Sequence, residues 1–198
     1  QTPAVVIACN TLSTLCLEAL RAQFEVPFIG TVPAIKTAAA HSRTRRFTLL
    51  ATPNTAASEY SQNLVETFAP DCVVDRYGAP NLASMIEAAM IDMSPLDETA
   101  LAHELAPAFF DDAQGRTDCL VLGCTHYPLV SEMLARAAPW PVAWLDSGEA
   151  IARRALSLHE PLTHRPDVAY VTRAADVGRT RAMFAREGFA TTACLPCA

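Results

Sequence analysis

An α/β fold built on mainly parallel sheets flanked by helices is the class this sequence predicts, on three observations. Apolar runs alternate with helix-period segments from one end of the chain to the other. The strongest runs are continuous rather than alternating, as expected of parallel strands covered on both faces. Two of them, 115 positions apart, end in the same way, with a cysteine followed by small polar residues.

Taken in order, Ala4–Ala8 is a continuous apolar run suited to a buried strand, and Leu12–Phe24 has helical spacing and ends before Pro27. Phe28–Gly30 is a second short strand, followed by a helix near Ala34–His41 behind Pro33. Phe47–Ala51 is a strand, and Thr52–Pro53–Asn54–Thr55 turns into a helix that runs through Phe68 and stops at Pro70. Cys72–Val74 is a strand, Asn81–Met90 a helix, and Asp97–Ala113 a helix adjusted near Pro107. Cys119–Leu122 is the most strongly strand-like run, followed by Gly123–His126 and a helix over Leu129–Ala137. Val142–Leu145 is a strand, Asp146–Ser147–Gly148 a turn that caps the helix Glu149–Ser157, and Val168–Thr172 with a helix at Arg179–Glu187 completes the order.

Composition narrows the function. With 198 residues, 51% of them hydrophobic and 18% charged, the chain has enough apolar surface to bury a core. A formal net charge of −6 provides no basic field for phosphates, which argues against nucleic acid as a partner. No apolar run reaches the roughly 18 to 20 residues of a membrane span, so a soluble protein is expected. Residue 1 is Gln and a strand begins almost at once, which reads as a fragment of a longer chain.

Seven cysteines, odd in number and irregularly spaced, argue against a disulfide framework and for a reducing cytoplasm. Cys194–Leu–Pro–Cys197 has C-x-x-C spacing but no second ligand pair, and reads as a frayed tail rather than a metal or redox site. Cys16, Cys72 and Cys119 sit in or beside apolar stretches and read as small buried hydrophobes. Cys9 and Cys124 differ from them.

Val5–Val–Ile–Ala–Cys9–Asn10–Thr11 and Leu120–Val–Leu–Gly–Cys124–Thr125–His126 each deliver a cysteine to the carboxyl end of a strand, ahead of a helix. Ligands of open α/β sheets bind at such ends, where helix N-termini present free N–H groups. A thiol there has its anion stabilised, and its pKa is expected to fall from about 8.5 toward neutrality. One such cysteine would read as a packing residue. Two of them, each followed by polar side chains, suggest a cleft with a sulfur on either face of a small substrate, an arrangement suited to inversion at carbon.

His126 taken singly is ambiguous, a lone histidine being more often structural, but beside Cys124 it can polarise the thiol or bind a carboxylate. Glu87, among Leu82, Met85 and Ile86, reads from spacing as a solvated face residue, and as a proton relay only if it faces the cleft. Asp111–Asp112 reads as a solvated turn.

Six segments together resemble the cofactor-independent glutamate racemases of the aspartate/glutamate racemase superfamily. They are Ile7–Thr11, Pro27–Pro33, Leu50–Thr55, Ala79–Glu87, Val121–Leu129 and Asp146–Ala152, in family order. Gly–Cys–Thr–His–Tyr–Pro–Leu is specific, whereas Cys–Asn–Thr alone also fits aspartate and hydantoin racemases. The resemblance implies that Cys9 and Cys124 are the catalytic cysteines, acting on the D- and L-glutamate faces respectively. It implies that Glu87 and His126 assist the second cysteine, which reverses the reading of Glu87 from spacing. Asn10, Thr11, Thr52, Thr55 and Thr125 match substrate-binding positions. No pyridoxal phosphate and no metal is implied, and the expected product is D-glutamate for bacterial peptidoglycan.

The family's early Asp–Ser–Gly–x–Gly–Gly and Pro–Tyr–Gly motifs do not lie upstream of Cys9, and Asp146–Ser147–Gly148 matches a later family position instead. The expectation is therefore a weak or inactive racemase as the chain stands. By the family pattern, residues 1–32 and 144–198 form a first, incomplete domain and 33–143 a complete second one. The incomplete domain would expose an apolar sheet edge, with lower stability and a tendency to associate, a homodimer being one outcome. A racemase of aspartate or another small acid, and a non-catalytic binding protein retaining the fold, are the competing readings.

Overall fold

The apolar runs Phe47–Ala51 and Cys119–Leu122 become the central strands of the core, whereas Val5–Ile7, expected as a buried strand, forms a strand that is only partly buried, with Val6 41% exposed. The computed structural model describes residues 4–158 and 167–195. The chain divides into two compact units, one of residues 1–83 with 97–160 and one of 84–96 with 161–198.

In the first unit, β1 (Val5–Ile7) leads into α1 (Asn10–Gln23), β2 (Phe28–Gly30) and α2 (Ile35–His41). β3 (Arg46–Ala51) is followed by α3 (Pro53–Ala57), α4 (Glu59–Phe68), β4 (Val73–Gly78) and the start of α5 (Leu82–Asp92). α6 (Glu98–Leu105), a 3₁₀ turn at Ala106–Ala108, the short strands β5 (Asp111–Asp112) and β6 (Gly115–Arg116), and β7 (Cys119–Gly123) come next. A 3₁₀ turn at Tyr127–Val130, α7 (Ser131–Ala137), β8 (Ala143–Leu145) and α8 (Gly148–Leu158) complete it.

β1 and β2 pair in parallel, and a four-stranded parallel sheet runs in the order β4-β3-β7-β8. Every residue of β3 and β7 is buried, because these two strands occupy the sheet centre and are covered on both faces. Side chains alternate across the sheet. On one face Phe47, Leu49, Ala51, Cys119 and Val121 pack with Ile35, Ala38 and Ala39 of α2 and with Leu64 and Val65 of α4. On the other, buried Thr48 donates its hydroxyl to the Ala108 carbonyl at 2.7 Å.

The N-terminal ends of β3 and β7 are tied by charge. Arg46, almost wholly buried, donates from Nε to Asp75 at 3.0 Å, pairs through Nη1 with Asp112, and stacks its guanidinium 4.7 Å from the Phe110 ring centroid. Asp118 accepts from the Ser42 hydroxyl at 2.7 Å and from the backbone N–H groups of Arg43 and Thr44 at 2.7 and 2.9 Å.

The second unit contains most of α5 together with β9 (Val168–Val171), α9 (Ala174–Arg186) and β10 (Thr191–Cys194), with β9 and β10 parallel. Phe184 and Phe189 meet edge-on at 5.5 Å between centroids, and Arg179 lies 3.6 Å from Asp92. Among the described residues no helix is long and apolar enough to cross a membrane.

Several expectations need correction. The helix expected over Asp97–Ala113 ends at Leu105, because Pro107 breaks it into a 3₁₀ turn and the chain then folds into the β5–β6 hairpin. Asp111 and Asp112 are therefore strand residues, and Asp112 is held by Arg46 rather than merely solvated. Cys194 lies in β10, not in a frayed tail, while Cys197 falls outside the described residues. Cys119 is fully buried as expected, but Cys16 and Cys72 are half-buried. The last helix begins at Ala174, earlier than its apolar spacing suggested.

Candidate functional site

The strand register assembles the site. Ala51 of β3 pairs with both Gly78 of β4 and Gly123 of β7, so the residues that come next, Thr52 and Cys124, emerge side by side at the carboxyl edge of the sheet. Gly123 suits this close approach. A Cβ on it would lie 2.7 Å from Leu49 Cδ1 and 3.0 Å from Ala51 Cβ, so a side chain there would force Leu49 and Ala51 to give way in the buried row.

Cys9 follows β1 and is the N-cap of α1, its backbone extended and its sulfur accepting from the Leu12 N–H at 3.5 Å. Cys124 follows β7 and is buried, with Sγ 3.6 Å from His126 Nδ1. The residues that flank the sulfurs are joined: the Thr125 hydroxyl donates to the Ala8 carbonyl at 3.0 Å. Beside them Thr11, Thr52 and Thr55 form a closed triangle of hydroxyl oxygens, with edges of 3.0, 2.8 and 3.1 Å.

Asn10 is 3% exposed, and its Oδ1 has no hydrogen-bond partner among the described residues. A buried amide oxygen left bare costs about 1–3 kcal/mol unless a ligand satisfies it. Asn10 lines a cavity of about 250 Å³ together with Thr31, Cys124, Thr125, Ser147 and Gly148. That volume suits a small molecule of amino-acid size. Tyr127, fully buried behind Cys124, also has an unpartnered hydroxyl among the described residues.

Electrostatics correct one expectation. Burial pushes the Cys124 thiol up, the neighbouring Cys9 sulfur adds to the rise, and the N–H groups of His126 and Tyr127 only partly offset it. The expected fall toward neutrality does not occur at Cys124, because desolvation outweighs the two amides. The chain leaves Cys124 through a short 3₁₀ turn, not through a long helix with a dipole to offer.

Cys9, Asn10, Thr11, Thr52, Thr55, Cys124, Thr125 and His126 all belong to the first unit. Glu87 belongs to the second, where it is exposed on α5 and lines a cleft of about 500 Å³ with Tyr170, Arg173 and Arg179. Two cavity residues were passed over in the sequence. Thr31, 2% exposed, donates its hydroxyl to the Ile7 carbonyl at 2.6 Å, and Ser147 follows the Asp146 that caps Gly148. The signal for Thr31 was its place in the Pro27–Pro33 segment at the end of a strand. Among the described residues, no group of three or more His, Cys, Asp or Glu side chains is placed to hold a metal.

The chain matches the family model described as Asp/Glu/Hydantoin racemase over residues 1–155. It is 47% identical over 174 residues to the glutamate racemase of Brucella anthropi, covering 84% of this chain and 62% of that protein. To the glutamate racemase of Mesorhizobium japonicum it is 45% identical over 177 residues, 86% of this chain and 67% of that one. The chain thus spans about two thirds or less of the length of these relatives. The Escherichia coli glutamate racemase, solved with L-glutamate and the activator UDP-MurNAc-ala, superposes with a TM-score of 0.88 at 33% identity, over 98% of this chain and 74% of that one. The Thermus thermophilus glutamate racemase gives a TM-score of 0.69 at 27% identity, over 100% and 73% of the two chains. With a family model matched across most of its length and the paired strand-end cysteines in one compact unit, this chain belongs to the Asp/Glu/Hydantoin racemase family.

Proposed function

We propose that the chain carries the two-cysteine site of a glutamate racemase, interconverting L- and D-glutamate and so supplying D-glutamate for peptidoglycan. The observation that carries this reading is the cysteine pair, on two strand ends joined by the Thr125–Ala8 hydrogen bond, with Cys124 and the unsatisfied buried acceptor of Asn10 lining one cavity and Cys9 standing between two of its lining residues, Ala8 and Asn10.

The burial of Cys124 favours its protonated form. In the D-to-L direction Cys9, as thiolate, takes the α-proton of D-glutamate. The C–H electron pair remains on Cα, delocalised into the adjacent carboxylate. Cys124 then gives its S–H proton to the opposite face, leaving L-glutamate, a Cys9 thiol and a Cys124 thiolate. In the reverse direction the Cys124 thiolate is the base. The α-proton of an amino acid is weakly acidic, so the carbanion depends on a preorganised polar surround, and Asn10, Thr11, Thr52, Thr55 and Thr125 are the side chains proposed to bind the substrate, the threonine oxygens accepting from its α-ammonium through their free lone pairs. His126 assists Cys124, and the family pattern offers Glu87 for the same role.

No pyridoxal phosphate or metal enters this scheme. The remaining proposals follow the family pattern: residues 1–32 with 144–198 as one racemase domain and 33–143 as the other, self-association as a homodimer, and a cytoplasmic location. The test is exchange of the glutamate α-proton for solvent deuterium, with Cys9→Ser and Cys124→Ser as controls. Exchange of aspartate in place of glutamate would redirect the substrate, and binding without any exchange would favour a non-catalytic protein.

A further inference from the structure

A two-sulfur reaction needs its sulfurs at a fixed separation, and in this fold they stand on strands of two different sheets. Cys9 follows β1 of the two-stranded sheet, and Cys124 follows β7 of the four-stranded sheet. No backbone ladder joins β1 to β7 among the described residues, so side chains must set the distance.

Three hydroxyl contacts do so. The Thr125–Ala8 bond at 3.0 Å joins residues directly adjacent to each sulfur-bearing residue, 117 positions apart in sequence. Thr11, two residues past Cys9, meets Thr52 and Thr55, and Thr52 leaves β3 in the register row from which Cys124 leaves β7. The contacts therefore grip the Cys9 segment through the ends of both central strands.

Proton counting supports a structural use of these hydroxyls. A threonine hydroxyl has one proton to donate. That of Thr125 is spent on Ala8, and the three oxygens of the triangle have three protons for three edges. With the donors turned inward, the set is satisfied before any ligand arrives.

We propose that Thr125 is a positioning residue: its hydrogen bond to Ala8, with the Thr11–Thr52–Thr55 triangle, fixes the separation of the Cys9 and Cys124 sulfurs. The proposal rests on the two-sulfur reading, and its test does not depend on catalysis.

The test uses bifunctional methanethiosulfonates of graded length on the full chain, with Cys16, Cys72, Cys194 and Cys197 replaced by Ser. Cross-linking between Cys9 and Cys124 is read by mass spectrometry and normalised to single-site modification. The parent is expected to show a sharp optimum at one length. Thr125→Val is expected to broaden the optimum and lower its yield roughly fivefold, the equilibrium weight of one hydrogen bond, while Thr125→Ser stays within about twofold of the parent. Circular dichroism checks that each variant is folded, and if Thr125→Val is not, Thr52→Val, which opens the triangle from its half-buried corner, decides. An unchanged length profile in the folded Val variant would overturn the proposal, as would equal losses in Thr125→Ser and Thr125→Val. A substrate-only role for Thr125 would leave cross-linking unaltered, and failure of glutamate exchange would leave this readout intact.

Discussion

Cys124 Sγ lies 3.6 Å from Nδ1 of His126, two residues further along the turn that leaves β7. Burial holds the thiol above its ordinary range, so its thiolate becomes abundant only at alkaline pH. Alkylation of Cys124 by iodoacetamide, followed by mass spectrometry against pH, is expected to show a midpoint above the ordinary value of 9.0. A midpoint near neutrality would mean that the amides of the turn outweigh burial.

His126→Gln removes the ring from the sulfur while leaving the backbone N–H in place. Loss of a positioned acid–base partner should slow α-proton exchange roughly 10²-fold, within the usual range for such groups, and more for L-glutamate than for D-glutamate. Equal effects on both enantiomers would place His126 outside the Cys124 half-reaction. Initial exchange rates on each enantiomer, with KM measured separately, distinguish the two outcomes.

Cys119 supplies a stability prediction with a definite sign. Burial pushes its thiol up to about 12, from an ordinary value of 9.0. Above the unfolded value the unfolded chain releases this proton while the folded chain keeps it, so stability falls as pH rises. The contribution is fully present below pH 9.0 and lost as pH approaches about 12. Urea unfolding across that window should show a shallower decline for Cys119→Ala than for the parent, whatever the offset between the two at neutral pH.

Gly123→Ala places a Cβ 2.7 Å from Leu49 Cδ1 and 3.0 Å from Ala51 Cβ, in the fully buried row between β3 and β7. Overpacking of this kind costs about 1–3 kcal/mol, and here it also displaces Cys124 from Thr52. Chemical denaturation should report the loss, and slower exchange should accompany it.

Arg46→Ala leaves two carboxylates without their shared partner. Asp75 is 23% exposed and Asp112 51%, so both can recover hydration, and the loss should fall near the lower end of the range for breaking a buried pair, about 3 kcal/mol. Asp75→Asn should destabilise more than Asp112→Asn, because its carboxylate is the less hydrated of the two. Urea midpoints of the three variants give the order.

Much of the fold was legible because the decisive strands are apolar throughout: Phe47–Ala51 and Cys119–Leu122 can be read from the sequence and form the buried centre of the sheet. β10 was not legible, since Thr191–Thr192–Ala193–Cys194 is short and weakly apolar and is a strand only through its pairing with β9. The helix from Asp97 was overextended because apolar residues continue past Pro107 into a hairpin that the buried Arg46 helps to hold. At the site, the two cysteines could be found from their matching strand ends. The triangle of Thr11, Thr52 and Thr55 could not, because its members lie up to 44 positions apart: the register of β3 with β7 sets Thr52 beside Cys124, while Thr11 comes from α1, next to Cys9. The direction of the Cys124 shift was missed for a related reason: local sequence displays the nearby amides, whereas desolvation comes from the packing around them.

The most direct measurement is exchange of the glutamate α-proton in deuterated water, followed by proton NMR with circular dichroism for inversion, on the parent, Cys9→Ser and Cys124→Ser. The expected result is exchange by the parent that falls in both variants, with Cys9→Ser losing it preferentially on D-glutamate and Cys124→Ser on L-glutamate. Exchange by the folded parent that survives both substitutions, or that falls equally on both enantiomers in each variant, would contradict the two-cysteine assignment.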